Sequence, residues 1–265
     1  MSAQRLVIFR GALRTRRTGL LIWALSLAGV CGLYTALYPS MEKVDLEGML
    51  KALPPAMVEA LGYDDMSSAA GYVGSAIYGL VGFMLLLVFA IITGGGVLAG
   101  EEDRGTLELE LTCPVSRRDV YLQRLAALWA QVAVLVVSVL VVTLGLSLSL
   151  SLGIEVGVLV RATVQLLLLV GFFASLAYAA GAATGRPGVA RGLAAALAVT
   201  SYMFNALGPT VGQRWMVSVS PVGWYMADNP LTSAWRPLDT GLLAASSVVV
   251  VVIGWLRFSR RDLMA

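Results

Sequence analysis

The sequence lacks histidine and contains only two cysteines, and these absences exclude several classes of chemistry. Without an imidazole there is no histidine general base and no zinc-protease helix. Cys31 lies in an apolar run and Cys113 in a polar stretch, so a disulfide would have to join the membrane interior to an aqueous loop, and we expect two free thiols. No Gly-Lys-Ser or Gly-Lys-Thr occurs, which predicts that the chain has no phosphate-binding loop. We therefore expect neither catalytic residues nor a metal or cofactor bound by this chain.

Charged residues are also scarce. They make up 13% of the 265 residues, whereas soluble domains contain about 25%. Hydrophobic residues make up 58%, and the mean hydropathy is +0.81. A net charge of +3 gives no support for binding to nucleic acid. The composition is typical of a polytopic membrane protein that is surrounded by the lipid bilayer.

Six apolar runs are long enough to cross a bilayer, which takes about 20 residues. They predict an all-α polytopic membrane protein that forms a single transmembrane domain over residues 1–265. The predicted spans lie at about 18–38, 69–99, 120–148, 158–183, 189–207 and 238–256. We expect Pro39 to end the first span and Arg186-Pro187-Gly188 to form the short turn between the fourth and fifth spans. Gly94-Gly95-Gly96, near the end of the second span, marks either a bend or a place of close helix packing.

Residues 1–17 precede the first span and are rich in arginine. On a helix, Arg10, Arg14 and Arg17 form one stripe beside an apolar one, which predicts an interfacial helix on an anionic membrane surface. The alternative is a basic flank that only fixes the orientation of the chain. Residues 208–237 hold four prolines and three tryptophans, and we expect a re-entrant or interfacial hairpin there, before the last span.

The distribution of basic residues predicts the topology through the positive-inside rule. If both termini are cytoplasmic, 14 of the 19 Lys and Arg residues lie in inner segments and five lie in outer segments. We therefore expect six spans with both termini in the cytoplasm. The loop between the second and third spans is cytoplasmic in this topology.

No aspartate or glutamate lies clearly at mid-membrane depth. A carrier driven by an ion gradient normally needs buried ionisable groups, so their absence argues against a self-powered secondary transporter. Polar side chains on the fifth span are the best candidates for lining a pathway, which would suit an amphipathic or lipid-like substrate. They are Thr200, Ser201, Tyr202 and Asn205. Most polar groups within spans only bond to the backbone or to a neighbouring helix, which is the alternative here.

Residues 100–119 form the longest strongly charged segment of the chain, and a segment so polar is excluded from hydrocarbon. Glu101, Gly105 and Glu108 share one helical face, and Ser116 is a candidate cap for a second helix. We expect a short amphipathic helix that docks onto a cytoplasmic partner. The alternative is a solvated loop with incidental charges.

Two motifs in this segment carry a family resemblance: Glu101-Glu102-x-x-Gly105-Thr106-Leu107-Glu108 and Pro114-Val115-Ser116-Arg117-Arg118. They resemble the loop between the second and third spans of ABC-2 type transporter permeases. Leu13-Arg14-x-Arg16-Arg17-x-Gly19-Leu20-Leu21-Ile22-Trp23-Ala24-Leu25 is similar to permeases of that family, particularly antibiotic or multidrug exporters. With the six-span layout and Ser220-Pro221 before the last span, the resemblance covers essentially the whole chain. Glu110 departs from it, because such permeases more often have an apolar residue there.

The resemblance implies the membrane subunit of an ATP-driven exporter in the inner or plasma membrane of a prokaryote, with a hydrophobic or amphipathic substrate. Two permeases would pair around a central pathway, and we favour a homodimer because six spans are half of the usual twelve. ATP and Mg²⁺ would bind to two copies of a separate cytoplasmic ATPase, which agrees with the missing phosphate-binding loop. Residues 1–17 would form an elbow helix on the inner leaflet, with surface arginines Arg10, Arg14, Arg16 and Arg17.

The loop after the second span would act as a coupling helix in a groove of the ATPase. Gly105 would allow close approach, and Pro114 would fix the turn. The residues that the resemblance places in this coupling segment, 100–119, are Glu101, Glu102, Arg104, Gly105, Thr106, Leu107, Glu108, Pro114, Val115, Ser116, Arg117 and Arg118.

Two other functions stay open. One is an ABC-2 permease for the assembly or maturation of a periplasmic metalloenzyme, such as a copper enzyme. The other is a non-transporting membrane scaffold or sensor. A membrane enzyme is the least favoured, because no acid/base or metal-binding set can be assembled from the sequence.

Overall fold

The computed structural model describes residues 7–41, 68–103, 105, 116–226 and 229–261. These residues fold into helices and short connections, and no strand occurs among them. In chain order, the helices of these segments are α1 (Val7–Met41), α2 (Ala69–Val97), α3 (Ala99–Glu102), α4 (Arg117–Ser149), α5 (Val156–Thr184), α6 (Pro187–Thr210), α7 (Arg214–Val219), α8 (Pro221–Met226) and α9 (Pro237–Arg260). The predicted all-α architecture is confirmed for this part of the chain.

Five of these helices, α1, α2, α4, α5 and α9, are long and apolar enough to cross a membrane. They correspond to the first four predicted spans and the sixth, and the chain is a multi-pass membrane protein. The predicted fifth span corresponds to α6, which has 24 residues and therefore sufficient length. It contains many alanines and glycines together with Arg191 and Asn205, and its most apolar stretch is less apolar than those of the other five. The count of six spans therefore stays a prediction.

The predicted interfacial helix and the first span are continuous in α1, a helix of 35 residues. Pro39 lies inside the last turn of α1, whereas we expected it to end the helix. No proline precedes it within α1, so nothing separates residue 17 from residue 18, and the boundary predicted there is absent. At 1.5 Å per residue α1 is about 52 Å long, which exceeds a hydrocarbon core of about 30 Å. Its arginine-bearing turns thus extend beyond the apolar part of the helix.

The helix α2 contains a π-helical segment, Gly74–Leu80, between two α-helical parts. Such segments interrupt the regular hydrogen-bond ladder and occur frequently at functional sites. Ser68 caps the start of α2 by accepting a hydrogen bond from the Gly71 amide at 2.9 Å. Within the π-helical segment, the phenol of Tyr78 bonds to the hydroxyl of Thr163 in α5 at 2.9 Å. The interrupted part of α2 is therefore tied to the centre of the bundle.

The glycine triplet 94–96 lies in the last turn of α2, and the helix continues through it. A Cβ atom on Gly94 would lie 2.5 Å from the carbonyl oxygen of Ala174 in α5, and one on Gly95 would lie 2.7 Å from Cγ of Arg191 in α6. Two helices thus approach the backbone of α2 more closely than a side chain would allow. Close packing at the triplet is confirmed, and α2 also ends just beyond it, with a break at Leu98 before residue 100.

The helix α5 forms the centre of the bundle and packs against α2, α4, α6 and α9, while α1 packs against α4. Phe173 and Tyr178 of α5 are fully buried. Tyr178 donates a hydrogen bond to the carbonyl oxygen of Tyr121 in α4 at 2.8 Å, and Tyr121 donates to that of Val251 in α9 at 2.8 Å. This chain of phenol-to-backbone bonds joins three helices at the depth where α4 begins.

The turn between α5 and α6 has the predicted chemistry. Gly185 has a φ of +68°, in the left-handed region, and its amide bonds to the carbonyl oxygen of Gly181 at 2.8 Å. Pro187 then occupies the first turn of α6, where its missing N–H has no cost. The turn predicted at Arg186-Pro187-Gly188 therefore lies at Gly185 and Arg186, and Pro187 and Gly188 already belong to α6.

The segment predicted as a hairpin contains two short helices, α7 and α8, joined at Ser220. The hydroxyls of Ser220 and Ser201, in α6, are 2.8 Å apart, and both side chains are buried. Ser201 also accepts a hydrogen bond from the amide of Val222 at 3.0 Å. These bonds fix the start of α8 against α6.

Candidate functional site at the loop between the second and third spans

The predicted coupling segment 100–119 is described at its two ends only, over residues 100–103, 105 and 116–119. Several predicted coupling residues lie outside the described residues: Arg104, Thr106, Leu107, Glu108, Pro114 and Val115. Glu110 lies there as well. The coupling helix itself therefore stays a prediction, and the described part of the site consists of the two ends of the segment.

The first end of the segment is α3, a four-residue helix that follows α2 after a break at Leu98. The amides of Glu101 and Glu102 both bond to the carbonyl oxygen of Leu98 at 3.1 Å. Gly105 follows with a φ of +71°, a conformation that glycine adopts without strain. The chain thus turns sharply here, and the two adjacent carboxylates reach different arginines.

Glu101 forms an ion pair with Arg124 in α4. The Arg124 side chain is only 3% exposed, and its Nη1 donates to the carbonyl oxygen of Val97 at 2.8 Å. A buried guanidinium is costly unless it is both paired and hydrogen-bonded, and here a carboxylate and a helix-terminal carbonyl do both. This ion pair ties the end of α2 to the first turns of α4.

Glu102 forms a second ion pair with Arg261, the residue that follows α9. Both carboxylate oxygens contact Nη2 of Arg261, and the side chains are 9% and 19% exposed, respectively. Nη1 of Arg117 donates to the carbonyl oxygen of Arg261 at 2.9 Å. A Cβ atom on Gly185 would lie 2.7 Å from Nη1 of Arg261, so the glycine leaves room for this arginine. The end of α9 is thereby joined to α3, α4 and the end of α5.

We refer to Glu101, Glu102, Arg124 and Arg261 as the glutamate clamp. It holds the first end of the coupling segment against three transmembrane helices, and its geometry offers no nucleophile or general base. The sequence predicted that both glutamates contact another protein. In the structure, each of them forms an ion pair with an arginine of the same chain. Contact between these glutamates and an ATPase stays a prediction.

The second end of the segment is the N-terminus of α4. The Ser116 hydroxyl accepts a hydrogen bond from the amide of Asp119 at 3.1 Å and donates one to the Asp119 carboxylate at 2.7 Å. The predicted cap is therefore confirmed. Arg117 is half-buried at the clamp, whereas Arg118 is exposed. Among the described coupling residues, Arg118 is thus well placed to meet another molecule.

Sequence analysis did not single out Arg124 or Arg261 as partners of the glutamates. A signal for Arg124 was present, because a charged residue inside an apolar run needs a partner nearby. No comparable signal existed for Arg261, which lies in a basic tail where several arginines are equivalent in sequence. The pairing of that tail with α3 depends on how α9 packs against α5.

The four predicted surface arginines lie along the first half of α1. Arg10, Arg14 and Arg17 are exposed, and Arg16 is half-buried. The exposed three form the stripe that the sequence predicted. Contact of this stripe with the inner leaflet stays a prediction.

The four candidate pathway residues do not share one environment. Ser201 is buried and bonded to Ser220, Thr200 is exposed, and Tyr202 and Asn205 are half-buried. At 100° per residue Ser201 and Asn205 lie on one side of α6 and Thr200 on another. Ser201 therefore has a packing role, and the lining of a pathway by the others stays a prediction.

Two residues of the hairpin that sequence analysis missed hold the other end of α2. Tyr225 donates to the carbonyl oxygen of Tyr78 at 3.1 Å, inside the π-helical segment. The Asn229 amide donates to the carbonyl oxygen of Gly71 at 3.0 Å and to the hydroxyl of Ser75 at 3.1 Å. Burial raises the pKa of the Tyr225 phenol above its ordinary value, so this group stays protonated and acts as a donor. The helix α2 is thus fixed by the hairpin at one end and by the glutamate clamp at the other.

A family model described as ABC-2 family transporter protein matches residues 6–263 of the chain, which include α1 to α9 and the segments between them. No curated protein matches the chain.

Proposed function

Because the chain belongs to the ABC-2 family of transporter proteins, we propose that it is the permease subunit of an ATP-driven exporter. Members of this family are membrane components of transporters. They are not themselves catalytic and normally work with an ATPase subunit. The observation that carries the proposal is the family match over residues 6–263, which covers both ends of the coupling segment. The missing phosphate-binding loop supports the same division of labour, with ATP and Mg²⁺ on two copies of a cytoplasmic ATPase.

The coupling segment 100–119 is proposed to seat in a groove of that ATPase. Its first end is fixed by the glutamate clamp and its second by the Ser116 cap. A loop held at both ends transmits a displacement to the helices behind it, because packed helices move as rigid elements. Movement of the ATPase would in this way reach α2, α4 and α9 together.

The proposed substrate is hydrophobic or amphipathic, such as a drug, an antibiotic or a lipid-like molecule. The described spans expose large apolar side chains and contain hydroxyl and amide groups on α6, but offer no acidic pair for an ion gradient. We further propose a homodimer with six spans per subunit and both termini in the cytoplasm of a prokaryotic cell. The excess of basic residues on the proposed cytoplasmic segments supports this orientation.

The test of this proposal is co-purification of the chain with an ATPase subunit. ATP hydrolysis by the purified material is then measured. The full chain carries an affinity tag, is purified from the membranes of the cells that make it, and is analysed for a bound ATPase subunit. We expect Arg118→Glu to lower the amount of retained ATPase by at least about tenfold, since reversing the charge would place like charges in contact, which costs several kcal/mol.

The matched control is Arg214→Glu, which reverses another exposed arginine, at the start of α7. Arg214 lies on the opposite side of the membrane in the proposed topology, so this variant should retain the ATPase. If the wild-type chain brings down no ATPase, the proposed function is wrong. If both variants retain it equally, the assignment of the coupling segment is wrong while the function stands.

A further inference from the structure

An open recess of about 410 Å³ lies beside the end of α9, lined by three arginines and by Ala183 of α5. Arg257 and Arg260 are exposed, whereas Arg261 is half-buried and belongs to the glutamate clamp. We refer to this feature as the arginine recess. Two guanidiniums thus stand at its mouth and a third forms part of its wall.

The surroundings of the arginine recess are strongly positive. Arg117 donates to the carbonyl oxygen of Arg261, and Glu102 is the carboxylate that pairs with Arg261. Among the residues that the structure describes here, four guanidiniums therefore share one carboxylate, which leaves a net charge of +3 from these five groups. The C-termini of α5 and α9 each contribute a partial charge of about −0.5, so they offset only about a third of this excess. A bound anion would balance the remainder.

An exposed apolar row leads along α9 to the arginine recess. Val249, Ile253 and Leu256 are 55%, 54% and 47% exposed. Their spacing of four and three residues places them on one face of the helix, and Arg260 continues that face one turn further. A ligand that fits both features carries an anionic group at one end and a long apolar chain at the other.

We propose that the arginine recess binds the phosphate headgroup of an anionic phospholipid, with an acyl chain along the exposed row of α9. Arginine suits this role because its planar guanidinium contacts a phosphate through two parallel hydrogen bonds. Basic pockets between transmembrane helices at the membrane surface bind such headgroups. A soluble phosphate compound shares the headgroup chemistry but gains nothing from the apolar row. Arg261 links the bound lipid to Glu102, so the lipid and the glutamate clamp share one arginine. This inference does not depend on the proposed export function.

The experiment uses the full chain in detergent and native mass spectrometry. Equal amounts of dioleoyl-phosphatidylglycerol and dioleoyl-phosphatidylcholine are added, and the ratio of the two bound lipids is measured. We expect the wild-type chain to prefer the anionic lipid. Arg257→Gln/Arg260→Gln should lower that preference by roughly 25-fold, which corresponds to about fivefold for each arginine near an anionic headgroup. Size-exclusion chromatography checks that the variant is folded.

The matched control is Arg186→Gln/Arg214→Gln, which removes two exposed arginines outside the recess and should keep the preference. Ile253→Ser/Leu256→Ser should lower retention of the anionic lipid without removing charge. An equal loss of the lipid preference in the control variant would mean that the effect comes from general surface charge. The arginine recess would then not be the binding site. Displacement of the lipid by glycerol 1-phosphate at millimolar concentration would mean that the recess binds a soluble phosphate compound. That result would contradict a phospholipid as its ligand.

Two further outcomes also contradict the proposal. If Arg257→Gln/Arg260→Gln keeps its lipid preference but loses a co-purified ATPase, the recess meets an acidic protein surface. If that variant does not fold, Arg257→Lys/Arg260→Lys is measured in its place. It keeps both charges but replaces each planar guanidinium by a compact ammonium. We expect this lysine variant to retain less anionic lipid than the wild type. Retention equal to that of the wild type would show that the recess does not recognise the headgroup through arginine geometry.

Discussion

At Arg124 a guanidinium is held in apolar surroundings by two acceptors, the Glu101 carboxylate and the carbonyl oxygen of Val97. The carbonyl is one that α2 leaves unsatisfied at its C-terminal end, so the arginine both finds a partner and completes the helix. The arrangement explains why two charged residues occur at the edge of otherwise apolar helices. It also makes the stability of the membrane domain depend on a residue that the sequence places in a charged loop.

We expect Glu101→Gln to lower the free energy of unfolding by about 3 kcal/mol, the lower part of the range for removing one partner of a buried ion pair. The lower part applies because the Glu101 side chain is 32% exposed, which lets water reach the remaining charge. Thermal unfolding of the chain in detergent measures the change. Asp103→Asn removes a neighbouring exposed carboxylate and should have little effect. An unchanged unfolding temperature in Glu101→Gln would mean that the ion pair is not stabilising.

Gly74 shows a different constraint, one of space. A Cβ atom at this position would lie 2.0 Å from Oδ1 of Asn229, the residue that bonds to two groups of α2. We expect Gly74→Ala to destabilise the chain by about 1–3 kcal/mol, because the added methyl displaces Asn229. Thermal unfolding again measures the change.

Gly145→Ala is the matched control, since it makes the same substitution within a helix where no atom lies within 4 Å of the added Cβ. It should be neutral or stabilise the chain by about 0.5–1 kcal/mol. Gly74→Ala/Asn229→Ala restores the space and should be no less stable than Asn229→Ala alone. A Gly74→Ala variant as stable as Gly145→Ala would contradict the close contact.

At the scale of the element, α4 begins where the coupling segment ends, and its first turn depends on Ser116. Replacing an N-cap serine by alanine costs about 1 kcal/mol, and the cost falls on the first turn because the rest of α4 is held by packing. We expect Ser116→Ala to raise hydrogen exchange of the amides of Asp119 and Val120, which bond to Ser116, by about fivefold. Ser116→Asn keeps a capping side chain and should leave these rates unchanged. Equal rates in the wild type and Ser116→Ala would mean that the cap does not hold the turn.

The elements divide clearly into those that local sequence determines and those that tertiary contacts determine. The cap at Ser116 and the turn at Arg186-Pro187-Gly188 were predictable, because each depends on residues a few positions apart. The π-helical segment Gly74–Leu80 was not, because its carbonyl and hydroxyl groups bond to Tyr225 and Asn229, which are distant in the sequence. Local patterns report on local bonds, and this segment depends on bonds made across the bundle.

The continuity of α1 was missed for another reason. The change from an arginine-rich stripe to an apolar run at residue 18 indicates a change of surroundings, and it was interpreted as a change of element. A helix crosses such a boundary without a break when no proline or cap is present. Composition therefore predicts where α1 meets the edge of the hydrocarbon, but not where the helix begins.

At the scale of the whole molecule, the path of α6 decides on which side the two termini lie. Six crossings place both termini on one side of the membrane, and five place them on opposite sides. We expect Thr15→Cys and Ser259→Cys, each in a Cys113→Ser background, to react with an impermeant maleimide from the same side of sealed vesicles. Cys31 is buried and should stay unlabelled.

The control is Ser149→Cys, at the end of α4, which should be labelled from the side opposite to Thr15→Cys. Labelling of Thr15→Cys and Ser259→Cys from opposite sides would mean that α6 does not cross.

The apolar runs of the sequence predicted the five long apolar helices, because length and hydropathy set the limits for a span. The sequence could not predict the ion pairs between helices, because these depend on which helices become neighbours.

The ion pair between Glu102 and Arg261 also has a consequence for the order of events during synthesis. The two residues are 159 positions apart. At a translation rate of about 5–20 residues per second, Glu102 is made roughly 8–30 s before its arginine. Arg124 follows Glu101 within about 5 s, so one half of the clamp can close early, whereas the other half waits until Arg261 has been made. The nascent chain thus completes the glutamate clamp only after α9 has been made.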